Sequence, residues 1–116
     1  MRSSGLALSL AVVLLLAGSV GLATQPAAQA KTQPGRHEVV IENMQFNPAQ
    51  VTVHAGDRIV WVNKDLFPHT VTALDKTFDS GSIATGVSWS YVARKKGEVA
   101  YGCTFHPTMK GTIRVQ

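Results

Sequence analysis

The chain has 116 residues, 45% of them hydrophobic and 16% charged, with 11 Lys and Arg set against 7 Asp and Glu for a net charge of +4. That length suits one small domain. The single cysteine excludes an intramolecular disulfide, and the mild basicity, with no aromatics interleaved among the bases, speaks against a nucleic-acid groove.

Taken in order, the chain begins with a segment that reads as an export signal. Arg2 supplies a basic start, Leu6 to Ala17 an apolar stretch broken only by Ser9, and Ala28-Gln29-Ala30 a small-residue cleavage site. Residues 1–30 are therefore expected to be a signal peptide, removed to leave a chain starting at Lys31. A retained anchor would need about 18 clean apolar residues, and Ser9, Gly18 and Ser19 interrupt this run. No stable membrane insertion is expected after cleavage, and the product should be periplasmic. Loss of Arg2 lowers the net charge to +3. Residues 31–36 form a short tail, and 37–116 the domain.

The domain reads as strands. His37–Glu42 opens it, and Gln50–His54 alternates apolar and polar residues after the Asn47-Pro48 breaker. Ala55-Gly56-Asp57 turns the chain into Arg58–Asn63, which is more continuously apolar, as a strand buried on both sides would be. A short β-type run, Thr70-Val71-Thr72, precedes a loop from Leu74 to Gly81. Val87–Val92 alternates large apolar residues, Arg94-Lys95-Lys96-Gly97 reads as a solvated hairpin turn, and Glu98–Cys103 and Gly111–Val115 close the chain. With several short strands divided by turns and no helical spacing, the fold expected is all-β, a small antiparallel Greek-key β-sandwich. Trp61, Phe78, Trp89 and Tyr91 are its core or half-core residues.

The chemistry concentrates between the last two strands. Cys103-Thr104-Phe105-His106-Pro107-Thr108-Met109 spaces a thiolate, an imidazole and a thioether by two residues each. Thiolate and thioether sulfur select copper among common metals, and a trigonal His2Cys set with a long axial Met is an electron-transfer arrangement. His69, at the mouth of a loop after Leu66-Phe67-Pro68, supplies the second imidazole. A buried structural thiol is the plain reading of Cys103 taken alone. With His106 and Met109 beside it, the balance moves to metal binding. His37 and His54 lack such spacing and are expected at the surface or a strand edge.

The segment Pro68-His69-Thr70-Val71-Thr72 and the loop Tyr101–Gly111 together resemble the cupredoxins, the plastocyanin and azurin superfamily of blue copper proteins. The two-and-two loop spacing is most similar to the amicyanins. The resemblance extends over 37–116 and implies one type 1 copper per chain, with His69, Cys103 and His106 as equatorial ligands and Met109 as the axial one. It also implies one-electron transport by Cu(I)/Cu(II) cycling between redox partner proteins. Docking would use an apolar patch around His106, with Phe67, Pro68, Phe105 and Pro107. Two positions depart from the amicyanin pattern. Phe105 stands where Pro is usual and adds an N–H within reach of the Cys103 sulfur, and Thr70 replaces the usual Asn, which puts the side-chain tie between the ligand loops in question.

An enzyme is not expected, since no paired acid and base adjoin a nucleophile and no spare ligands serve a second copper. A copper carrier for delivery or resistance is the alternative. Met-rich or His-rich tails would favour it, and Lys31–Arg36 has neither. A small apolar patch suits transient encounters by a monomer.

Overall fold

Alternation of apolar and polar side chains places most of the strands. The computed structural model describes residues 5, 11, 13–23 and 33–116; the expected cleavage site and the start at Lys31 lie outside them, as do residues 6–10 and 12 of the apolar stretch. Met1–Ala30 and Lys31–Gln116 form two separate compact units. In the first, residues 13–23 adopt neither helix nor strand. Among the described residues no helix is long and apolar enough to cross a membrane.

The second unit has eight strands: β1 (Arg36–Glu42), β2 (Gln45–Asn47), β3 (Gln50–Val53), β4 (Arg58–Asn63), β5 (Thr72–Ala73), β6 (Ser88–Val92), β7 (Gly97–Gly102) and β8 (Lys110–Val115). They form two four-stranded sheets, ordered β2-β1-β4-β6 and β3-β8-β7-β5. This is the all-β sandwich expected. The continuous apolar run of β4 matches its burial, since Ile59, Val60, Trp61 and Asn63 are all buried.

Three details differ from the sequence reading. β2 was not foreseen, because three residues carry no usable period; it pairs with β1 through the two-residue turn Asn43-Met44, both at positive φ (53° and 58°). The pairing is not purely antiparallel, since β1 runs parallel to β4 (Val39 opposite Trp61) and β3 parallel to β8 (Val51 opposite Ile113). The chain lays β3 in the other sheet between β2 and β4, so hairpin logic does not govern β1 against β4. Arg94-Lys95-Lys96 is solvated as expected but is no hairpin, because it carries the chain from β6 in one sheet to β7 in the other.

The sheets meet on an aromatic core. Trp61 of β4 donates its indole N–H to the Tyr101 hydroxyl of β7 at 3.1 Å, with the rings nearly perpendicular at 82°. Burial pushes the Tyr101 hydroxyl pKa up to about 12 even though the Trp61 bond works the other way. Phe78 and Trp89 pack against Trp61, and Tyr91 against Phe78. Side chains of this size bury roughly 150–250 Å² each, about 4–6 kcal/mol of gross hydrophobic stabilisation apiece at ~25 cal/mol per Å². Room for the Tyr101 ring is made by Gly111, where a Cβ would fall 2.2 Å from a ring carbon.

The same sheets position the chemistry. β4 ends at Asn63 and feeds the segment carrying His69, β7 ends at Gly102 and feeds Cys103, and β8 begins just after Met109. Pairing of Thr72 with Gly102 across β5 and β7 then sets the two segments side by side.

Candidate metal centre

His69 is presented by an unusual edge. It forms an isolated bridge with Ile83, exchanging backbone hydrogen bonds at 3.1 and 2.7 Å, and its side chain is fully buried. Asn63, also fully buried, holds this segment from within: its side-chain amide donates to the Phe67 and Ile83 carbonyls at 2.8 and 2.9 Å, and its Oδ1 accepts the Asp65 N–H at 2.9 Å. No polar group of Asn63 is left over.

The Cys103–Met109 loop is closed by turns. His106 N–H donates to the Cys103 carbonyl at 3.3 Å, Met109 N–H to the His106 carbonyl at 2.9 Å, and Cys103 N–H to the Met109 carbonyl at 3.3 Å. Gly102 is required beside this closure, since a Cβ there would sit 2.9 Å from the Met109 carbonyl oxygen.

These two segments bring three donors together. Cys103 Sγ lies 3.7 Å from His69 Nδ1 and 3.7 Å from His106 Nδ1, and the two ring nitrogens are 3.1 Å apart. Among the described residues this is the cluster of metal-type donors, all within 4.8 Å of one another. Edges of that length fit a cation at about 2.0 Å from imidazole nitrogen and about 2.3 Å from thiolate sulfur, the distances typical of a d-block ion such as zinc. Met109 is buried and, with Cys103, borders a groove that neither His69 nor His106 lines. His37 and His54 lie elsewhere: His37 is half-buried against Asp57, and His54 is exposed.

The tautomer of His69 follows from its outer partner. Asp65 Oδ2 lies 2.8 Å from His69 Nε2, and a carboxylate only accepts, so Nε2 carries the proton and the Nδ1 lone pair faces Cys103 and His106. Asp65 also accepts the N–H groups of Asn43 at 2.7 Å and Met44 at 3.0 Å. Burial works to raise its pKa, yet the bonds from Met44, His69 and Asn43 outweigh it and hold the carboxyl below its usual range. Met44 in the left-handed region stores about 1–3 kcal/mol of backbone strain, which its bond to Asp65 helps to offset.

Sequence reasoning missed Asp65 and Asn63. A carboxylate four residues before a candidate His, and an Asn ending an apolar strand, were the available signals. Thr70 answers the question raised by its departure from the amicyanin pattern: its hydroxyl accepts the Thr104 N–H at 2.8 Å and lies 3.1 Å from the Thr104 hydroxyl, so the two loops are tied after all. Its N–H donates to the Cys103 sulfur at 3.3 Å. The Phe105 N–H, expected to share that role, makes no such bond in the structure.

His106 is half-buried, and several apolar residues of the two segments are exposed. Leu66, Phe67 and Phe105 are 86%, 59% and 51% exposed, and Pro68 and Pro107 are exposed beside them. Leu66 was not among the expected docking residues, and Met44 is 37% exposed.

Comparison with known proteins agrees with this geometry. The family model of the cupredoxin-like domain matches residues 8–115. Amicyanin-alpha of Methylorubrum extorquens is 28% identical over 121 residues, covering all of both chains. Plastocyanin of Scenedesmus fuscus is 36% identical over 84 residues, 61% of this chain and 86% of that one. Among solved structures, the Cu(I) form of an amicyanin mutant is 25% identical with a TM-score of 0.67, over 75% of this chain and 88% of that one.

Proposed function

The chain belongs to the cupredoxin family, and from that premise we propose that it is an exported one-electron carrier, not an enzyme, in which His69, Cys103, His106 and Met109 hold a single copper ion. The observation that carries this reading is the convergence of two Nδ1 atoms and one Sγ within 3.7 Å of one another at the end of a β-sandwich.

Copper bound there supplies the redox chemistry, as Cu(I) and Cu(II) in turn. The chain supplies the rest. Cys103 gives a thiolate, shielded from water by burial and steadied by the Thr70 N–H. His69 is locked by Asp65, and the closed turns of the Cys103–Met109 loop keep His106 and Met109 in place, so little need move when the charge changes. Of the two imidazoles only His106 reaches the surface. Electrons therefore pass at its rim, where Leu66, Phe67, Pro68, Phe105 and Pro107 form the face on which partner proteins dock transiently. A patch of this kind suits the small interfaces of redox encounters, under about 1,200 Å², and a monomeric carrier.

Residues 1–30 act as a cleaved signal, 31–36 as a short tail and 37–116 as the working domain, which places the carrier in the periplasm. The apolar run and small-residue site of the leader support this. Voltammetry of the copper-loaded protein tests the function: a reversible one-electron wave is expected, with Phe105→Glu slowing exchange with a protein partner at unchanged potential. Tight Cu(I) binding with no reversible wave would favour the copper-carrier alternative.

A further inference from the structure

Thr70 grips the opposite loop with two hands, its N–H on the Cys103 sulfur and its Oγ1 on the Thr104 N–H. The hydroxyl contacts continue beyond it. Thr72 Oγ1 lies 3.0 Å from Thr70 Oγ1 and 3.1 Å from Asp79 Oδ1, and the same Oδ1 accepts the Gly81 N–H at 2.9 Å. Asp79 itself faces Thr72 across an isolated bridge on the edge segment that also carries Ile83, the backbone partner of His69.

Counting protons sets the role of each hydroxyl in this chain. A hydroxyl has one proton to donate, and a carboxylate has none. The Thr72 hydroxyl is the donor toward both Asp79 Oδ1 and Thr70 Oγ1, so its one proton bridges the two. Thr70 Oγ1 accepts from the Thr72 hydroxyl and from the Thr104 N–H, which leaves its own proton for the Thr104 hydroxyl. Thr72 thus links Asp79 to the Thr70 hydroxyl, and consecutive bonds polarise one another.

We propose that Asp79 is a positioning residue of the metal centre, acting through Thr72 to orient the Thr70 hydroxyl and so clamp the Thr104 amide and the Cys103 sulfur between the two ligand loops. The proposal deepens the copper-site reading, but its first test needs no copper. Thr72→Val keeps the side chain's shape and removes the link, without touching the bond between Asp79 and Gly81; Thr72→Ser restores the hydroxyl.

Amide hydrogen exchange, followed residue by residue in the metal-free protein, reads the clamp directly. Exchange at Thr104 is expected to quicken at least tenfold in Thr72→Val and in Asp79→Ala, with the core amides of Trp61 and Ile113 unchanged and Thr72→Ser like the wild type. The double variant Thr72→Val/Asp79→Ala should exchange no faster than the faster single one, because both cut one chain. In the copper-loaded protein the Cu(I)/Cu(II) ratio against a reference couple should move at least threefold in Thr72→Val and return in Thr72→Ser. Unaltered exchange at Thr104 in Thr72→Val, or equal loss in Thr72→Ser, overturns the proposal. If Thr72→Val also loosens Trp61 and Ile113, the same selective loss is required of Asp79→Ala. Failure to bind copper with the Thr104 effect intact would sink the copper reading and leave the clamp standing.

Discussion

Replacing Asp65 with Asn keeps the shape of the side chain and takes away one acceptor and the charge. The carboxylate accepts three N–H groups, from Asn43 on Oδ1 and from Met44 and His69 on Oδ2. The amide cannot serve all three. If its oxygen takes the Oδ2 position, its NH2 confronts the Asn43 N–H, and a hydrogen bond to a charged group worth about 1.5–3 kcal/mol is lost from the β1–β2 turn. If the amide is turned round, its NH2 faces His69 Nε2 and draws that ring into the other tautomer, which puts a proton on Nδ1 where the metal should bind. Either way the orientation of His69 weakens. Loss of such an outer partner costs about 10–100-fold in metal affinity, or about 1.4–2.7 kcal/mol. Competition of the variant and the wild type against a chelator of known affinity measures this, and nitrogen NMR of the metal-free protein reports the His69 tautomer. Copper affinity within twofold of wild type, with the proton still on Nε2, would refute the reasoning.

Gly111→Ala forces a Cβ into the Tyr101 ring, and overpacking of this kind costs about 1–3 kcal/mol, or roughly 4–8 °C of melting temperature per kcal/mol in a domain of this size; calorimetry showing a drop under 2 °C by that scaling would mean the ring shifts freely. Asp57, bonded by His37 and by the His54 and Gly35 amides, has its pKa lowered from 3.8 to about 2. A depressed carboxylate lends stability that is complete above the unfolded value and is lost as pH falls through the folded one. Acid unfolding should therefore steepen between about pH 4 and pH 2, and Asp57→Asn should flatten that limb; identical acid limbs in denaturant titrations would contradict it.

The parts of the fold that were legible in the sequence are those with a repeating physical cause. β1, β3, β6, β7 and β8 alternate apolar and polar residues, while β4 is buried at consecutive positions and reads as a continuous run, which Ile59-Val60-Trp61 makes plain. β2 is too short to alternate, and its turn uses Asn-Met at positive φ where Asn-Gly would have announced it. Parallel pairing of β1 with β4 depends on a strand placed in the other sheet, which no local pattern records. At the centre, Cys103, His106 and Met109 are close in sequence and chemically distinctive, so they stood out. Asp65, Asn63, Thr72 and Asp79 act by hydrogen bonds to residues that only the folded chain brings near, and their types are common in loops. Thr70 shows the limit most clearly: its departure from the family pattern suggested a missing tie, and the structure supplies that tie with a hydroxyl.

The central claim is that Cys103 binds copper as a thiolate between His69 and His106. Visible absorption of the protein loaded with Cu(II), compared with Cys103→Ser, tests it most directly. The account predicts an intense thiolate-to-copper charge-transfer band that is absent from the Ser variant. A wild-type spectrum without that band, or the same spectrum from both proteins, would contradict it.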